Sequence, residues 1–334
     1  MTTSTPVPVT VLTGFLGAGK TTLLRHVLTA AHGLSIAVIV NEFGDLGFDD
    51  GLVSACDAPS CAPGDVVELT NGCICCTLAD DFIPTMDKLL ARAQRFDAIL
   101  IETSGLALPQ PLVKAFQWPG IRGRATVDAV VTLVDAAALD TGRLSLEDHG
   151  DEAPDHDEPL EEVFEDQLAC ADLVVLSKAD LVPEDRLDAI TAALVPHLRA
   201  GVRVLRSAGT LAPEILLGLK AAAEDDLVAR QGHHGEGEEH EHDDFDSIVV
   251  TPGPFATRDE AVVAVAAVLA LDGVLRVKGY AALAGKAAPL VIQGVGDRVE
   301  TTFGPPEGVA SLGLVVIGLK SFDREAATAL LTGG

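Results

Sequence analysis

The sequence predicts an α/β protein in which a domain built on a mostly parallel sheet precedes a small α+β domain. Through the first two-thirds of the chain, continuous apolar stretches alternate with helix-like stretches, as in parallel sheets that helices cover on both faces. A polar low-complexity stretch, QGHHGEGEEHEHDD, interrupts this pattern at residues 231–244, and strand-like stretches resume after it. With 334 residues, 48% of them hydrophobic, the chain is long enough for two packed cores.

Each element is predicted from its apolar pattern and its flanking turn residues. The predicted strands of the first domain are Val7–Thr13, Ser35–Asn41, Asp65–Leu69, Asp97–Thr103, Thr126–Val134, Asp172–Ser177 and Val202–Leu205. Its predicted helices are Lys20–Ala31, Ala79–Gln94, Leu160–Cys170 and Pro183–Leu198. The second domain is predicted as a βαβββ-type unit with the elements Ser247–Thr251, Asp259–Leu271, Val274–Leu283, Pro289–Gln293, Arg298–Phe303 and Leu314–Leu319. The domain limits that follow are 1–228, a linker at 229–246, and 247–334.

Composition and charge exclude several classes of function. A formal net charge of −27 argues against binding a nucleic-acid backbone. The longest apolar run, Ala261–Leu271, is too short to span a bilayer, and Met1–Pro8 lacks the basic and apolar regions of a secretory signal. Six cysteines in a chain of this length do not indicate a disulfide scaffold, so we expect a reduced, cytoplasmic protein.

A phosphate-binding loop is the strongest local signal. Residues Gly14–Thr21 fit G-x-x-x-x-G-K-[ST] without a mismatch, after a predicted strand and before a predicted helix. Lys20 is expected to reach the β- and γ-phosphates, and the Thr21 hydroxyl to ligate Mg²⁺. The alternative is a glycine turn that binds nothing. The predicted phosphate-binding residues are Gly14, Gly17, Ala18, Gly19, Lys20, Thr21 and Thr22.

A second motif predicts that the base is guanine. The strand ending at Ser177 continues into S-K-A-D, close to the N-K-x-D pattern of guanine-selective P-loop proteins. The Asp180 carboxylate can accept from two N–H groups of guanine, for which adenine has no equivalent, and Lys178 is expected to lie along the base. Because Ser177 replaces the usual Asn, we expect a weaker brace for this loop. The alternative is a strand-to-helix turn capped by Asp180. Ser207–Ala208 is a candidate for backbone contact with guanine O6.

Acidic residues after two predicted strands are candidates for Mg²⁺ and for the attacking water. Glu102 ends an apolar strand, where P-loop proteins place such a carboxylate. Gly105 would let the backbone approach the γ-phosphate. Glu42 and Asp45 follow the second strand and are secondary candidates, as ligands or as ordinary loop acids.

Three cysteines within four residues predict a site for a soft metal ion. Cys73, Cys75 and Cys76 can supply most of a tetrahedral shell for Zn²⁺, Co²⁺ or Cu⁺. The alternative is that one or two of them are buried small apolar side chains. Cys56 and Cys61 are either a secondary site or free thiols.

The remaining candidates for metal binding are weaker. Cys170, on a predicted helix, is expected in the core. The linker histidines are expected either to collect divalent metals weakly or to be part of a solvated acidic segment; they are His233, His234, His240 and His242. His149 and His156 lie in another acidic stretch and are expected in a solvated loop.

Together these motifs resemble the CobW family of metallochaperone GTPases, over nearly the whole chain. The residues that carry the resemblance are GFLGAGKTT, NEFGDLG, ELTNGCICCTLADDFIPTM, IETSGLALPQPL and FEDQLACADLVVLSKADL, with the His-rich linker and the small C-terminal domain. The flanking stretches TLADDFIPTM, LALPQPLVKAFQWPGI and HDEPLEEVFEDQLACADLVV are most similar to the cobalamin-biosynthesis branch of the family.

The resemblance implies a slow GTPase whose Mg²⁺–GTP state creates or tightens a metal site formed by the C-x-C-C thiolates. Lys20 and Glu102 are then the catalytic residues, water is the nucleophile, and Co²⁺ (or Zn²⁺) is the metal. The predicted strands would place Lys20, Glu102 and the Cys73 loop at the carboxyl edge of one sheet, so a γ-phosphate could order the thiolate loop. Because no arginine finger is identified in the sequence, slow turnover is expected.

The leading hypothesis is therefore a GTP-driven Co²⁺ chaperone that serves cobalamin biosynthesis. The predicted partner is a metal-accepting protein, expected to be the cobaltochelatase, with a homodimer as an option and neither nucleic acid nor a membrane span. Three alternatives stay open: a Zn²⁺-allocating GTPase of the same family, a small-molecule P-loop kinase with a structural zinc, and a metal buffer with a degenerate nucleotide site.

Overall fold

The protein is described from a computed structural model over residues 5–41, 66–69, 82–92, 96–142, 159–230, 245–296, 298–304 and 312–333. The chain divides into two compact units, each with its own sheet. Within the described ranges, no helix is long and apolar enough to cross a membrane.

The first unit contains a sheet of seven strands: β1 (Val7–Gly14), β2 (Ile36–Asn41), β3 (Val66–Leu69), β4 (Ala98–Glu102), β5 (Ala125–Asp135), β6 (Leu173–Ser177) and β7 (Arg203–Arg206). Its α-helices are α1 (Lys20–Ala30), α2 (Ile83–Leu90), α3 (Pro109–Ala115), α4 (Ala136–Asp140), α5 (Pro159–Cys170), α6 (Glu184–Leu194) and α7 (Pro213–Leu216). Single 3₁₀ turns are formed by Ala179–Leu181, Val195–His197, Ala223–Asp225 and Leu227–Arg230.

The strand order of this sheet is β3-β2-β4-β1-β5-β6-β7, and every neighbouring pair is parallel. The register pairs Leu12 with Glu102 and Gly14 with Leu133. In a parallel sheet all strands end at one edge, so the segments after β1, β3, β4 and β6 leave the sheet on the same side. The predicted α/β fold with a mostly parallel sheet is confirmed.

Burial on both faces explains why the strands are continuous apolar runs. Ile99 and Leu100 are successive residues of β4, point to opposite faces, and are both fully buried. Leu100 packs in a cluster with Leu24 of α1, whereas Ile99 packs in a separate cluster with Phe116, which directly follows α3. Full burial of such side chains stabilises the fold by about 1.5–3 kcal/mol each.

The second unit is a smaller antiparallel sheet with two helices. Its elements are β8 (Phe245–Val250), α8 (Arg258–Leu269), β9 (Val274–Ala281), β10 (Leu290–Val295), β11 (Arg298–Phe303), β12 (Gly313–Leu319) and α9 (Arg324–Thr332). The order is β11-β10-β9-β12-β8, with every pair antiparallel. Val265 of α8, Val277 of β9 and Leu331 of α9 share one buried cluster. The predicted small α+β domain is thereby confirmed as a fold.

Several elements differ from the sequence prediction. The predicted helix Pro183–Leu198 ends at Leu194 and gives way to a 3₁₀ turn, because Pro196 has no N–H to continue the helix. The short helices α3, α4 and α7 and the terminal helix α9 were not predicted. For α9 the sequence does contain capping residues, Asp323 before the helix and Gly333 after it. Asp323 accepts a hydrogen bond from the Ala326 N–H at 2.8 Å, and Gly333 ends the helix in a left-handed conformation.

The predicted linker falls mainly outside the described residues. On its amino-terminal side, the buried Arg230 donates to Asp172 at 2.6 Å, so the packed part of the first unit extends to this residue. On its carboxyl-terminal side, β8 begins at Phe245. The domain limits themselves stay a prediction.

Candidate nucleotide and metal site

The predicted phosphate loop connects β1 to α1. Gly19 takes a φ of 95° immediately before α1, a left-handed conformation that glycine adopts at little cost. No described side chain caps α1, and its first turn carries no acidic residue. The first N–H groups and the positive end of the helix dipole are therefore suited to an anion. Thr22 is exposed in this first turn.

Lys20 is held inside the loop that it follows. Its side chain is 6% exposed, and its amino group donates to the carbonyl oxygens of Gly14 at 2.7 Å and Phe15 at 3.2 Å. A buried ammonium requires compensation by polar or negative groups. The position suits the oxyanions of a bound phosphate, as the motif predicts.

The two residues predicted to hold Mg²⁺ come together from separate elements. The Thr21 hydroxyl of α1 donates to Glu102 Oε1 at the end of β4, at 2.7 Å. Glu102 is 6% exposed. Hydroxyl and carboxylate oxygens are hard donors of the kind that Mg²⁺ binds, so this pair fits the predicted ion.

The loop after β4 packs closely against the phosphate loop. A Cβ on Gly105 would lie 2.4 Å from Leu16 Cδ2 and 2.8 Å from the Leu16 backbone nitrogen. Only glycine permits this approach of the two backbones. The Gly105 loop and the phosphate loop are thus in contact, and this is the region in which the motifs predict a γ-phosphate.

The S-K-A-D turn is also attached to the phosphate loop. Ser177 Oγ donates to the carbonyl oxygen of Ala18 at 2.7 Å and lies 3.1 Å from that of Val134. The amino group of Lys178 donates to the Gly17 carbonyl at 2.7 Å. The serine hydroxyl therefore makes the contact with the phosphate loop for which this motif usually has an Asn side chain.

Asp180 lies where a base could reach it. It is exposed, in the 3₁₀ turn Ala179–Leu181, whereas the residue that precedes α6 is Pro183. The alternative in which Asp180 caps this helix is therefore not supported. The Ala179 N–H donates to the Ser207 carbonyl at 3.1 Å, so the candidate loop Ser207–Ala208 lies beside the turn.

Asp135 belongs to this site but was not selected from the sequence. It is 4% exposed at the end of β5, and its Oδ2 accepts from the Lys178 amino group at 2.6 Å. Its Oδ1 accepts from the N–H groups of Ala137 at 3.0 Å and Ala138 at 3.1 Å, which caps α4. An acid directly after an apolar strand, the pattern that drew attention to Glu102, was the signal available for Asp135.

Gln167 of α5 was also missed. It is fully buried, and its side-chain N–H₂ group donates to the carbonyl oxygens of Gly105 at 3.2 Å and Ala107 at 3.1 Å. A glutamine between acidic and apolar helical residues gives no sequence signal, because its partners are about 60 residues away in the chain.

The predicted thiolate site lies outside the described residues. This applies to Cys73, Cys75 and Cys76, to Glu42, Asp45, Cys56 and Cys61, and to the predicted linker and loop histidines. Within the described part of the chain, no group of three or more His, Cys, Asp or Glu residues could hold a metal ion.

Cys170 is a core residue, as predicted. Burial raises the pKa of its thiol to about 12, so the thiol stays protonated at neutral pH and is a poor metal ligand.

Two family models match the chain. Residues 8–206 match the CobW/HypB/UreG nucleotide-binding domain, and residues 247–333 match the C-terminal domain of the cobalamin synthesis protein CobW. The chain belongs to the CobW family. The resemblance inferred from the motifs is confirmed.

Named relatives within the CobW family are similar over almost the full length. A protein of Sinorhizobium sp named zinc chaperone CobW is 47% identical over 342 residues, which cover 98% of this chain and 96% of the relative. A zinc chaperone CobW of Pseudomonas aeruginosa is 45% identical over 339 residues, covering 95% and 89%. Among solved structures, the Zn(II)-bound YjiA GTPase from E. coli is 26% identical with a TM-score of 0.46, covering 99% of each chain.

Proposed function

We propose that this CobW-family chain is a GTP-hydrolysing metallochaperone whose affinity for a thiophilic metal ion depends on the bound nucleotide. One observation carries the proposal. Lys20, the Thr21–Glu102 pair and the S-K-A-D turn are joined around one loop at the carboxyl edge of the parallel sheet. The strand that leads to the C-x-C-C motif ends at this same edge.

The choice of GTP rests on the S-K-A-D turn. Asp180 is exposed and can accept from the guanine N1–H and N2–H groups, while Lys178 is fixed by Gly17 and Asp135. Adenine presents no matching pair of donors, so this carboxylate favours guanine nucleotides over adenine nucleotides.

Hydrolysis transfers the γ-phosphoryl group to water. The water oxygen forms the new bond to phosphorus, the bond between phosphorus and the β–γ bridging oxygen breaks, and GDP keeps that oxygen. The proton that the water loses passes to the released phosphate. Lys20 stabilises the negative charge that develops on the phosphate oxygens, and Glu102 orients the water. Mg²⁺, held by Thr21 and Glu102, would neutralise phosphate charge when bound.

Zn²⁺ and Co²⁺ are the two candidate cargo ions for Cys73, Cys75 and Cys76. The names of the relatives favour Zn²⁺, and zinc also exceeds cobalt in the usual order of affinities. The flanking sequences of the cobalamin-biosynthesis branch favour Co²⁺. In both cases hydrolysis would loosen the site, and the ion would pass to a metal-accepting protein, which for cobalt is the cobaltochelatase.

Geometry supplies a physical reason for coupling. With neighbouring strands about 4.8 Å apart, β3 lies roughly 10 Å from β4 and 14 Å from β1. Cys73 follows the end of β3 at Leu69 by four residues, a reach of at most about 14 Å. A γ-phosphate that orders the loops at this edge can therefore bias the thiolates, and the coupling must be reciprocal.

A cobalt titration tests the proposal. Reduced protein is titrated with Co²⁺, with and without Mg²⁺ and a non-hydrolysable GTP analogue, while thiolate-to-cobalt charge-transfer and d–d absorption are followed. We expect tight binding only with the analogue, and loss of the charge-transfer band in Cys73→Ser, Cys75→Ser or Cys76→Ser. Cys170→Ala is the matched control and should bind as the wild type does, because its thiol is buried and protonated.

The outcomes separate the alternatives. Zn²⁺ competition in the same titration ranks the two cargo ions. Metal binding that ignores the nucleotide would favour a kinase with a structural zinc or a metal buffer. GTP hydrolysis at the wild-type rate in Lys20→Ala would contradict the assigned active site.

A further inference from the structure

The most informative polar residue not used by the proposed function is Gln167. It lies in α5, is fully buried, and is the only glutamine among the described residues with no exposed surface. Burying an amide costs free energy unless hydrogen bonds replace its contacts with water. Its partners therefore indicate what this side chain does.

Those partners belong to one loop. The Gln167 N–H₂ group donates to the carbonyls of Gly105 and Ala107, at 3.2 and 3.1 Å. On another side, Gly105 packs against Leu16 of the phosphate loop so closely that a Cβ would be 2.8 Å from its backbone nitrogen. The loop after β4 is thus held by the phosphate loop and by the amide of α5.

The Gln167 amide hydrogen-bonds to the loop after β4 and is not needed for the packing of its own helix. The side-chain carbonyl oxygen of Gln167 has no hydrogen-bond partner among the described residues, an arrangement that is unfavourable for a buried acceptor. A leucine or methionine here would avoid that cost while filling the same interface. The contact of α5 with β5 is made independently, because the Thr132 hydroxyl donates to the Gln167 backbone carbonyl at 2.9 Å.

Fixing these carbonyls also fixes N–H directions. Since a trans peptide points its C=O and N–H to opposite sides, holding the Gly105 carbonyl toward Gln167 turns the Leu106 N–H away from it, and this N–H donates to Ser104 Oγ at 3.5 Å. Glu102, at the start of the same segment, is tied to Thr21 at 2.7 Å. The backbone from Glu102 to Ala107 is therefore fixed at both ends.

We propose that Gln167 is a positioning residue that sets the preference of the site for GTP over GDP. By holding the Gly105 loop against the phosphate loop, it keeps this loop, with the Gly105 N–H, where a γ-phosphate would meet it. The Leu106 and Ala107 N–H groups donate to Ser104 instead. GDP has no γ-phosphate and does not use this loop. The inference rests on the proposed function, because it assumes that the site binds GTP.

The test compares Gln167→Met with Thr132→Val. Methionine keeps the length and apolar packing but donates to neither carbonyl, whereas valine removes the other hydrogen bond at Gln167 without touching the loop. For each protein, dissociation constants for Mg²⁺–GDP and for a non-hydrolysable Mg²⁺–GTP analogue are measured with kcat for GTP. Gln167→Leu is a second variant in case the first does not fold.

In Gln167→Met, GDP affinity should stay within about twofold of wild type. Affinity for the analogue, and kcat, should each fall about tenfold, as expected for two lost hydrogen bonds. Thr132→Val should change both affinities together or neither. Equal weakening of both nucleotides in Gln167→Met, or no weakening, would overturn the inference. Wild-type protein that neither binds nor hydrolyses GTP would instead overturn the proposed function.

Discussion

Two loops flank the phosphate loop, and they are attached to it by different kinds of contact. The base loop after β6 is attached by side chains, through the Ser177 hydroxyl on the Ala18 carbonyl and the Lys178 amino group on the Gly17 carbonyl, both at 2.7 Å. The loop after β4 is attached by close packing of Gly105 against the side chain and backbone of Leu16, which leaves no room for a Cβ.

Under the proposed function, this difference separates recognition of the base from recognition of the γ-phosphate. GDP and GTP present the same guanine to the base loop, so damage there should weaken both nucleotides equally. Only GTP presents a γ-phosphate to the loop after β4, so damage there should weaken GTP and hydrolysis while sparing GDP. Four substitutions test whether the two loops act separately in this way.

Lys20→Ala should have the largest effect, because the buried Lys20 amino group lies within the phosphate loop and is proposed to contact the phosphates of both nucleotides. Removing one preorganised charged donor is expected to reduce kcat by about 10²–10³-fold. Phosphate release from GTP measures this directly. Lys88→Ala, an exposed lysine in α2, is the control and should retain wild-type kcat.

Asp180→Ala should come next and should affect both nucleotides alike. Hydrogen bonds to a charged group contribute about 1.5–3 kcal/mol, so GDP and GTP affinities should each fall about 10–100-fold. The preference for GTP over ATP should fall with them. Asp185→Asn, in the first turn of α6, is the matched control. Unchanged selectivity for GTP over ATP in Asp180→Ala would contradict the assignment of Asp180 to guanine recognition.

Gly105→Ala should affect only the triphosphate. The added methyl would meet the Leu16 backbone at 2.8 Å, so the two loops must separate. We expect kcat to fall about tenfold or more, the loss that about 1.4 kcal/mol of transition-state stabilisation represents, with GDP affinity retained. Gly120→Ala, where the new Cβ would lie 3.7 Å from Asp87, should behave as wild type.

Ser177→Ala should have the smallest effect of the four. It removes the hydroxyl that bonds the Ala18 carbonyl, for which a net contribution of about 0.5–1.5 kcal/mol is typical. GDP and GTP affinities should fall together by about two- to tenfold. Nucleotide competition measures both; selective loss of GTP alone would contradict the comparison of the two loops.

Local sequence patterns predicted most of the fold, and they predicted the phosphate loop and the base loop as candidate sites. Every strand of the parallel sheet was found within about two residues, because strands buried on both faces are continuous apolar runs. The phosphate loop and the S-K-A-D turn could be predicted because each motif consists of consecutive residues. Short helices such as α7 have too few residues for a periodic signal.

What the sequence could not indicate are contacts between distant residues. Asp135 reaches Lys178 across 43 positions, and Gln167 reaches Gly105 across 62. Neither pair has a characteristic spacing, so only the strand order brings them together. The sequence also could not show whether Ser177, in the place of the usual Asn, still braces the base loop. That depends on whether its hydroxyl reaches the Ala18 carbonyl, as it does in the structure.

Coupling between the nucleotide and the metal is tested by zinc competition against a chelator of known affinity, on empty, GDP-loaded and GTP-analogue-loaded protein. Coupling free energies between sites are typically about 1–3 kcal/mol, so the zinc dissociation constant should be about 5–150-fold lower with the analogue than with GDP. Equal dissociation constants in all three states would show that the nucleotide and the metal do not communicate, and the chaperone mechanism would be wrong.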